Sequence, residues 1–432
     1  MPDPRGGDPE VEDANPAAGE AAGGSDGVQV EPERAVVPLL EPRDGIPDPV
    51  VTEEALTELV AALAGGTGPV ALDAERASGY RYSQRAYLVQ LRRAGAGSAL
   101  IDPIACPDLS GLNAAIADTE WVFHAASQDL PCLAEIGLRP GTLFDTELAG
   151  RLLGYARVGL GSMVEEVLGF RLEKGHSAAD WSTRPLPQPW LNYAALDVEV
   201  LLELRDILER ELAEAGKLDW ARQEFAALVA APPPAPRTDP WRRTSGMHRI
   251  RTRRQMAAVR ALWQSRDSLA RQRDLAPGRI LPDSAIIAAV LADPKGVPEL
   301  QALPVFGGRH HRRLANRWFA ALEQGRTLAE SQLPQHTVPT DAPPPVSRWA
   351  DRDPAAAARL TAARGGLAEL AERLRMPVEN LLTPDVVRRL AWSPPGGITL
   401  EAVAAVLTRQ GARPWQVELT GQLLTDAMLA RP

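Results

Sequence analysis

Asp73 and Glu75 stand one residue apart at the end of the apolar run Pro69-Val70-Ala71-Leu72-Asp73-Ala74-Glu75. The run reads as a short buried β-strand, and because side chains alternate along a strand the two carboxylates fall on one face. Neighbouring acids repel, and in a pocket their pKa values rise unless a cation sits between them. Hard divalent cations such as Mg²⁺ take carboxylate oxygens, so the pair is a sensible start to a metal site. Taken alone, Asp-x-Glu is more often just a solvated strand end.

Two further acids change that balance. Asp129 falls in the first turn of a helix, directly after the predicted strand Trp121-Val122-Phe123-His124. Asp197 follows Tyr193 by one turn on a predicted long helix, and side chains four apart share a helical face. A strand end, a helix start and a helix face can converge at one edge of a sheet. Singly, each residue has a plainer use. Asp129 could favour the helix dipole, worth about 0.3–1 kcal/mol, Asp197 could pair with a surface arginine, and Tyr193 could pack its ring on the sheet.

The elements that must position these residues follow from the pattern. Thr52 is an expected N-cap for a helix through Leu63, and Gly65-Gly66-Thr67-Gly68 turns into the acid-bearing strand. Strands 87–92 and 98–102, split by the turn Ala94-Gly95-Ala96-Gly97, complete an antiparallel meander. A helix near 108–117, strand 121–124, a helix from Ser127, strand 142–144, helices 145–154 and 160–168 and a long helix 188–214 follow. The expected fold class is therefore α/β, a mixed sheet with helices on both faces.

Ala230–Pro240 holds five prolines and reads as a linker, and 334–345 is a second proline-rich break. Between them lie a basic helix 247–274, with Met256, Val259, Trp263 and Leu269 as apolar members, and helices near 283–292 and 308–323. A last helical unit spans 347–430. Leu275-Ala276-Pro277-Gly278-Arg279-Ile280-Leu281-Pro282-Asp283 parallels Met376-Pro377-Val378-Glu379-Asn380-Leu381-Leu382-Thr383-Pro384-Asp385, so the two helical units read as diverged repeats. The expected organisation is an acidic disordered tail 1–36, an α/β domain 37–225, a linker 226–243, a helical domain 244–328, a linker 329–345 and a helical domain 346–432.

Composition narrows the class. The 432 residues carry a net charge of −9, but unevenly. Residues 1–34 hold nine acids against Arg5 and Arg34, whereas 241–274 hold ten arginines against Asp267 and Asp274. Such asymmetry suggests a nucleic-acid partner for the basic part. Only Cys106 and Cys132 are present, which argues against a disulfide framework or a thiolate metal site. No apolar run nears the ~20 residues of a membrane span, and the N-terminus lacks the parts of a signal peptide. The expectation is a cytoplasmic, monomeric protein with no membrane partner.

Leu72-Asp73-Ala74-Glu75, Phe123-His124-Ala125-Ala126-Ser127-Gln128-Asp129-Leu130 and Tyr193-Ala194-Ala195-Leu196-Asp197-Val198 resemble the three exonuclease motifs of the ribonuclease D family, the tyrosine branch of the DEDD 3′→5′ exonucleases. Leu143-Phe144-Asp145-Thr146-Glu147-Leu148-Ala149 is also similar. So is Lys174-Gly175-His176-Ser177-Ala178-Ala179-Asp180-Trp181-Ser182-Thr183-Arg184-Pro185-Leu186, the most specific piece. Ala74 stands where Thr is commoner and Gly175 where Ser is commoner; neither change removes a metal ligand.

The resemblance covers about 38–220 and implies a ribonuclease H-like mixed-sheet exonuclease domain. Residues 245–328 resemble an HRDC domain, and the last unit is similar to a second HRDC-type module. What it implies chemically is a metal-dependent exoribonuclease with two divalent ions, Mg²⁺ or Mn²⁺. Asp73 would bridge both ions, Glu75 and Asp197 would complete one set, Asp129 would hold the other through water, and Tyr193 would orient the attacking water. Nucleoside 5′-monophosphates would leave single-stranded RNA 3′ ends, tRNA precursors among them.

Candidate substrate contacts are His124, Lys174, His176, Tyr80 and Tyr82, each with a structural alternative. Arg253, Arg254 and Arg260 read as an RNA-backbone grip, or as a solvated helix face. Arg309-His310-His311-Arg312-Arg313 is a second basic candidate, and no acid or cysteine nearby supports a metal there. An ion pair between Asp180 and Arg184 is expected to fix their loop. The rival functions are a DNA exonuclease and a non-catalytic RNA-binding scaffold.

Overall fold

In the computed structural model the described residues are 36–431, apart from 174, 234 and 338–340. The expected acidic tail 1–36 therefore lies almost wholly outside them, as does Lys174. Eight strands are present among the described residues: β1 (Val37–Leu39), β2 (Pro49–Val50), β3 (Thr67–Arg76), β4 (Ala86–Ala94), β5 (Gly97–Ile101), β6 (Glu120–Phe123), β7 (Thr142–Asp145) and β8 (Phe170–Leu172).

β3 is the strand the sheet is built on. Val70, Ala71 and Leu72 have no exposed surface, as befits a strand covered on both faces. It pairs antiparallel with β4, with Asp73 opposite Gln90, and β4 pairs antiparallel with β5. Positive φ at Gly95 and Gly97 makes the tight turn between those two strands, a conformation glycine adopts without steric cost. β6 then returns parallel to β3 on its other side, and β7 lies parallel to β6. The six-stranded order is β2-β5-β4-β3-β6-β7, the mixed sheet expected. Two pieces were not anticipated: β2, parallel to β5, and a separate β1–β8 pair. Strands of two or three residues carry no periodicity to read.

Thr52 caps the helix Glu53–Gly65 through the Ala55 N–H, as its position implies. By contrast the long helix expected over 188–214 is broken at Val200, giving Gln188–Glu199 and Leu201–Glu214. The first segment packs on β3, β4 and β5, and the second on β6 and the helix Thr146–Leu153. One straight rod could not follow both surfaces. Likewise the helix expected over 160–168 is one α-turn, Leu160–Met163, followed by a π-turn, Val164–Leu168, closed by Gly169 at φ 75°.

The middle helical unit has its own core. Its longest helix, Arg253–Arg273, begins at a Thr252–Gln255 capping box and buries Met256, Val259 and Leu269 against Ile280, Ile286, Trp318 and Leu322. Trp241 joins this core, although it sits inside the expected linker. Gly325 lies so close to this helix that a Cβ would fall 2.5 Å from the Ala258 Cα.

The last unit is attached differently. Its buried residues, among them Leu367, Leu390, Trp415 and Leu424, form one continuous cluster with the core of the sheet. Trp415 stacks on Trp220 at 5.0 Å and donates to the buried Glu224 carboxylate at 3.0 Å. Arg413 pairs with the same carboxylate at 2.7 Å. Lys217 is buried and its Nζ donates to the carbonyls of Leu152 and Leu374, tying the two regions together. No helix among the described residues is long and apolar enough to cross a membrane.

Trp415→Ala is expected to destabilise the sheet region along with the last unit, by about 3–5 kcal/mol as for other buried aromatic truncations. Denaturant unfolding followed by far-UV circular dichroism measures this. A change within about 0.5 kcal/mol, typical of surface sites, would show that the two regions do not depend on a shared core.

Candidate active site

The alternation of β3 puts Asp73 and Glu75 on one face, and the helix Gln188–Glu199 brings Asp197 to them. One carboxylate oxygen from each of these three lies within 4.8 Å of the others. Glu75 is 8% exposed and Asp129 5%. Asp73 accepts the Ala74 N–H at 2.8 Å and a longer bond from Gln90 at 3.4 Å.

Burial pushes the pKa of all four acids upward, and the charge of neighbouring acids adds to it at Glu75, Asp129 and Asp197. Asp129 is raised to about 9 by burial and then by Asp73. Glu75 is held well above its ordinary value by burial, then by Asp73, Asp197 and Asp129. Asp197 is likewise held well up by burial and by Asp73, and burial raises Asp73. Arg76, just past a β-bulge at the strand end, lowers Asp73, Glu75 and Asp129 without offsetting the rest. An all-oxygen donor set with this much uncompensated acid fits a hard divalent cation.

Asp129 is not one of the three within 4.8 Å; it acts on them by charge and is carried there by an unusual local path. After β6 the chain passes through Ala125 at φ 64°, makes a 3₁₀ turn over Ala126–Gln128, and enters the helix Leu130–Glu135. The Asp129 side chain makes no capping bond to that helix. A left-handed alanine costs energy and needs a partner to hold it. That partner is Asp145, 4% exposed at the end of β7. Its carboxylate accepts N–H groups from Ala125 (3.0 Å) and Ala126 (2.9 Å), and caps the next helix through Glu147 (2.9 Å) and Leu148 (3.2 Å). Burial lifts Asp145 to about 6 against the pull of these bonds. Sequence reasoning placed Asp145 in a matching segment but gave it no task. An aspartate between a strand and a helix signals an N-cap; its second pair of donors is a tertiary fact.

His124 belongs to this support rather than to an open surface. Its Nδ1 lies 2.9 Å from Thr146 Oγ1, which donates to the Phe123 carbonyl at 3.0 Å. Burial drops its pKa to about 4, so the ring is neutral at pH 7.

Tyr193 is within hydrogen-bonding reach of Asp197, and burial followed by the charges of Asp197, Glu75 and Asp73 raises its pKa. The phenol therefore stays protonated. Its ring lies against fully buried Trp181 at 6.4 Å, and His176 meets it edge-on at 5.9 Å. The loop carrying Trp181 is fixed by Arg184, which forks onto Asp102 at 2.6 and 2.9 Å and donates to the Tyr87 and Trp181 carbonyls. The expected Asp180–Arg184 pair does not form. Asp180 instead accepts the Ser182 N–H, and Asp102 offers Arg184 both oxygens at once.

The remaining candidates have partners outside the acid cluster, although Tyr80 packs in the same apolar cluster as Tyr193. Tyr80 lies under the Arg279 guanidinium at 4.2 Å, and the Tyr82 hydroxyl donates to Asp267 at 3.0 Å. Arg253 donates to the Leu333 and Pro334 carbonyls, Arg254 to those of Arg326 and Leu328, and Arg260 to that of Gln332. Arg253 and Arg260 thus hold the chain after the middle unit, and Arg254 holds the end of that unit's last helix.

Asp145→Asn keeps one acceptor oxygen but replaces the other by an NH2 group that faces a backbone N–H donor. Loss of this support is expected to weaken divalent-ion binding about 10–100-fold, as for other residues that orient metal ligands. Calorimetric titration with Mn²⁺ measures it, and wild-type affinity in a folded variant would show that Asp129 needs no such clamp.

Three family models match the chain: a 3′-5′ exonuclease over residues 47–213, an HRDC domain over 255–322, and a 3′ to 5′ exonuclease C-terminal domain over 342–428. Ribonuclease D of Acidiphilium cryptum is 31% identical, with 79% of this chain and 88% of that protein covered. Ribonuclease D of Escherichia coli is 33% identical, covering 66% of this chain and 76% of that protein. A crystal structure of a Bifidobacterium adolescentis protein superposes with a TM-score of 0.84 at 37% identity, covering 91% of this chain and 99% of that one. That of Escherichia coli RNase D gives 0.64 at 27% identity, over 88% and 98%. With the acids converging as they do, the chain belongs to the ribonuclease D family of 3′→5′ exoribonucleases.

Proposed function

We propose that the protein trims RNA from the 3′ end to nucleoside 5′-monophosphates with two divalent ions, Mg²⁺ or Mn²⁺, acting on structured precursors such as those of tRNA. The observation that carries this reading is the meeting of Asp73, Glu75 and Asp197 within 4.8 Å, with Asp129 charge-coupled to them and Tyr193 against Asp197. When bound, such ions polarise the phosphoryl oxygen and lower the pKa of a bound water. Asp73, Glu75 and Asp197 would hold the ions, with Asp129 as the fourth acid beside them.

Tyr193 orients the attacking water. A phenol held protonated by burial and by three nearby acids cannot serve as the base at pH 7, but its hydroxyl can donate and accept. His176, edge-on to Tyr193, would contact the substrate nucleotide. For the RNA backbone, the helix Arg309–Arg313 is the better surface. Arg309, Arg312 and Arg313 are exposed, and no side-chain ion pair joins them to other described residues.

Asp73→Asn alters charge at nearly constant volume. It is expected to abolish hydrolysis of 3′-labelled RNA while the chain stays folded; retained turnover in Mg²⁺ would refute the site. The same assay on matched DNA, with and without EDTA, tests the ribose preference, and faster cleavage of DNA would overturn it. Replacing Arg309, Arg312 and Arg313 together by Gln should flatten the log affinity against log salt slope by about 2, at roughly 0.7 per single-strand phosphate contact. An unchanged slope would place the RNA elsewhere.

A further inference from the structure

We infer that the middle helical unit is a working part of the catalytic centre, with Asp274 as a positioning residue for the Tyr193 side of the site. This rests on the nuclease reading above. The loop 77–85 joins β3, which carries Asp73 and Glu75, to β4. A connection of that kind, left to itself, belongs to the low-stability end of a structure. Here it is gripped from two sides.

On one side is the end of the helix Arg253–Arg273. Asp274 caps it in the left-handed conformation at φ 46° and turns its carboxylate onto the loop. One oxygen accepts the Ser83 N–H at 3.0 Å, and the other accepts the Tyr87 hydroxyl at 3.3 Å. The next turn adds the Ala276 N–H to the Tyr80 carbonyl at 3.0 Å, and Arg279 Nε to the Gly79 carbonyl at 3.0 Å. Tyr82 completes the grip through Asp267.

On the other side is the Trp181 loop. Arg81 Nε donates to Ser182 Oγ at 2.8 Å. Tyr87, whose hydroxyl meets Asp274, gives its carbonyl to Arg184 at 2.6 Å, and Arg184 holds the Trp181 carbonyl. Trp181 and Tyr193 share one apolar cluster with Tyr80 and Tyr87. Each link from Asp274 to Tyr193 is therefore a direct bond or a packed ring. A shift of about 1 Å in a positioned catalytic group can cost on the order of 100-fold in rate, so a loosened loop would be felt as slower turnover.

The test uses the full chain and a short RNA oligonucleotide. Asp274→Ala removes both acceptors and leaves an alanine in a left-handed turn; Asp274→Asn keeps an acceptor and a residue type that tolerates the turn. Asp274→Ala is expected to lower kcat about tenfold or more with the Mg²⁺ half-saturation unchanged. Asp274→Asn should stay near wild type, and Arg81→Ala, which cuts the far link, should reproduce the kcat loss. Amide hydrogen exchange should show 77–85 and 178–186 losing protection in Asp274→Ala while 255–322 keep theirs. Wild-type kcat in both alanine variants, or unchanged protection in the two loops, overturns the inference. Were the wild-type chain inert on every oligonucleotide, the nuclease reading would fall, and the exchange result would still decide the coupling.

Discussion

Three carboxylates gathered within 4.8 Å, with the charge of Asp129 felt beside them and one nearby arginine, are the constraint everything else answers to. Each acid loses hydration and gains a like-charged neighbour, so each is pushed toward protonation. A fold with no other purpose would relax by turning a side chain out to water. Here the acids are carried by well-held elements: the central strand, a helix packed across it, and a turn clamped by Asp145. The same hold keeps the oxygens converged when a cation offsets their repulsion. Preorganisation here means that the surroundings bear the cost of holding the acids ready.

That division of labour explains how the helical additions are joined. The last unit merges with the sheet through one apolar core and through Lys217, whose ammonium finds carbonyls from both regions. The middle unit keeps a core of its own, on which the Tyr82 ring packs, and meets the first region mainly through polar contacts to one loop and to Tyr87 at the start of β4. An apolar seam confers bulk stability with little directional content. Hydrogen bonds to named carbonyls and N–H groups fix register, which suits a loop beside a catalytic centre.

Much of the site was legible because its ingredients are local patterns. Period-two alternation puts Asp73 beside Glu75, a four-residue step puts Tyr193 over Asp197, and a strand ending just before Asp129 brings that acid to the same edge. The fold class followed from strands spaced first for a meander and then for a crossover. What escaped was decided by tertiary partners. Asp145 looks like any N-cap until Ala125 and Ala126 arrive at its other side. The break at Val200 comes from two surfaces the helix must follow, and nothing at that position in the sequence announces it. Arg184 chose Asp102, 82 residues away, over the acid four residues off, because only Asp102 presents a fork to match the guanidinium.

The arginines carry the same lesson into charge reading. A cluster of ten in 241–274 suggests a nucleic-acid surface by count alone. Yet Arg253 and Arg254 reach backbone carbonyls and Glu330, and Arg266 is buried against the Leu281 carbonyl and Asp283. A guanidinium offers five donors in a plane and sheds water more readily than an ammonium, so it can terminate helices and bind linkers as well as contact phosphates. In a chain whose basic residues are nearly all arginine, density of charge measures how much backbone needs holding as much as how much phosphate awaits. The short helix at Arg309–Arg313 differs from those three, because Arg309, Arg312 and Arg313 are exposed and form no ion pair among the described residues, as is also true of Arg243, Arg249, Arg251 and Arg273. Exposure without a partner, rather than number, is what separates a surface built for a polyanion from one built for its own chain.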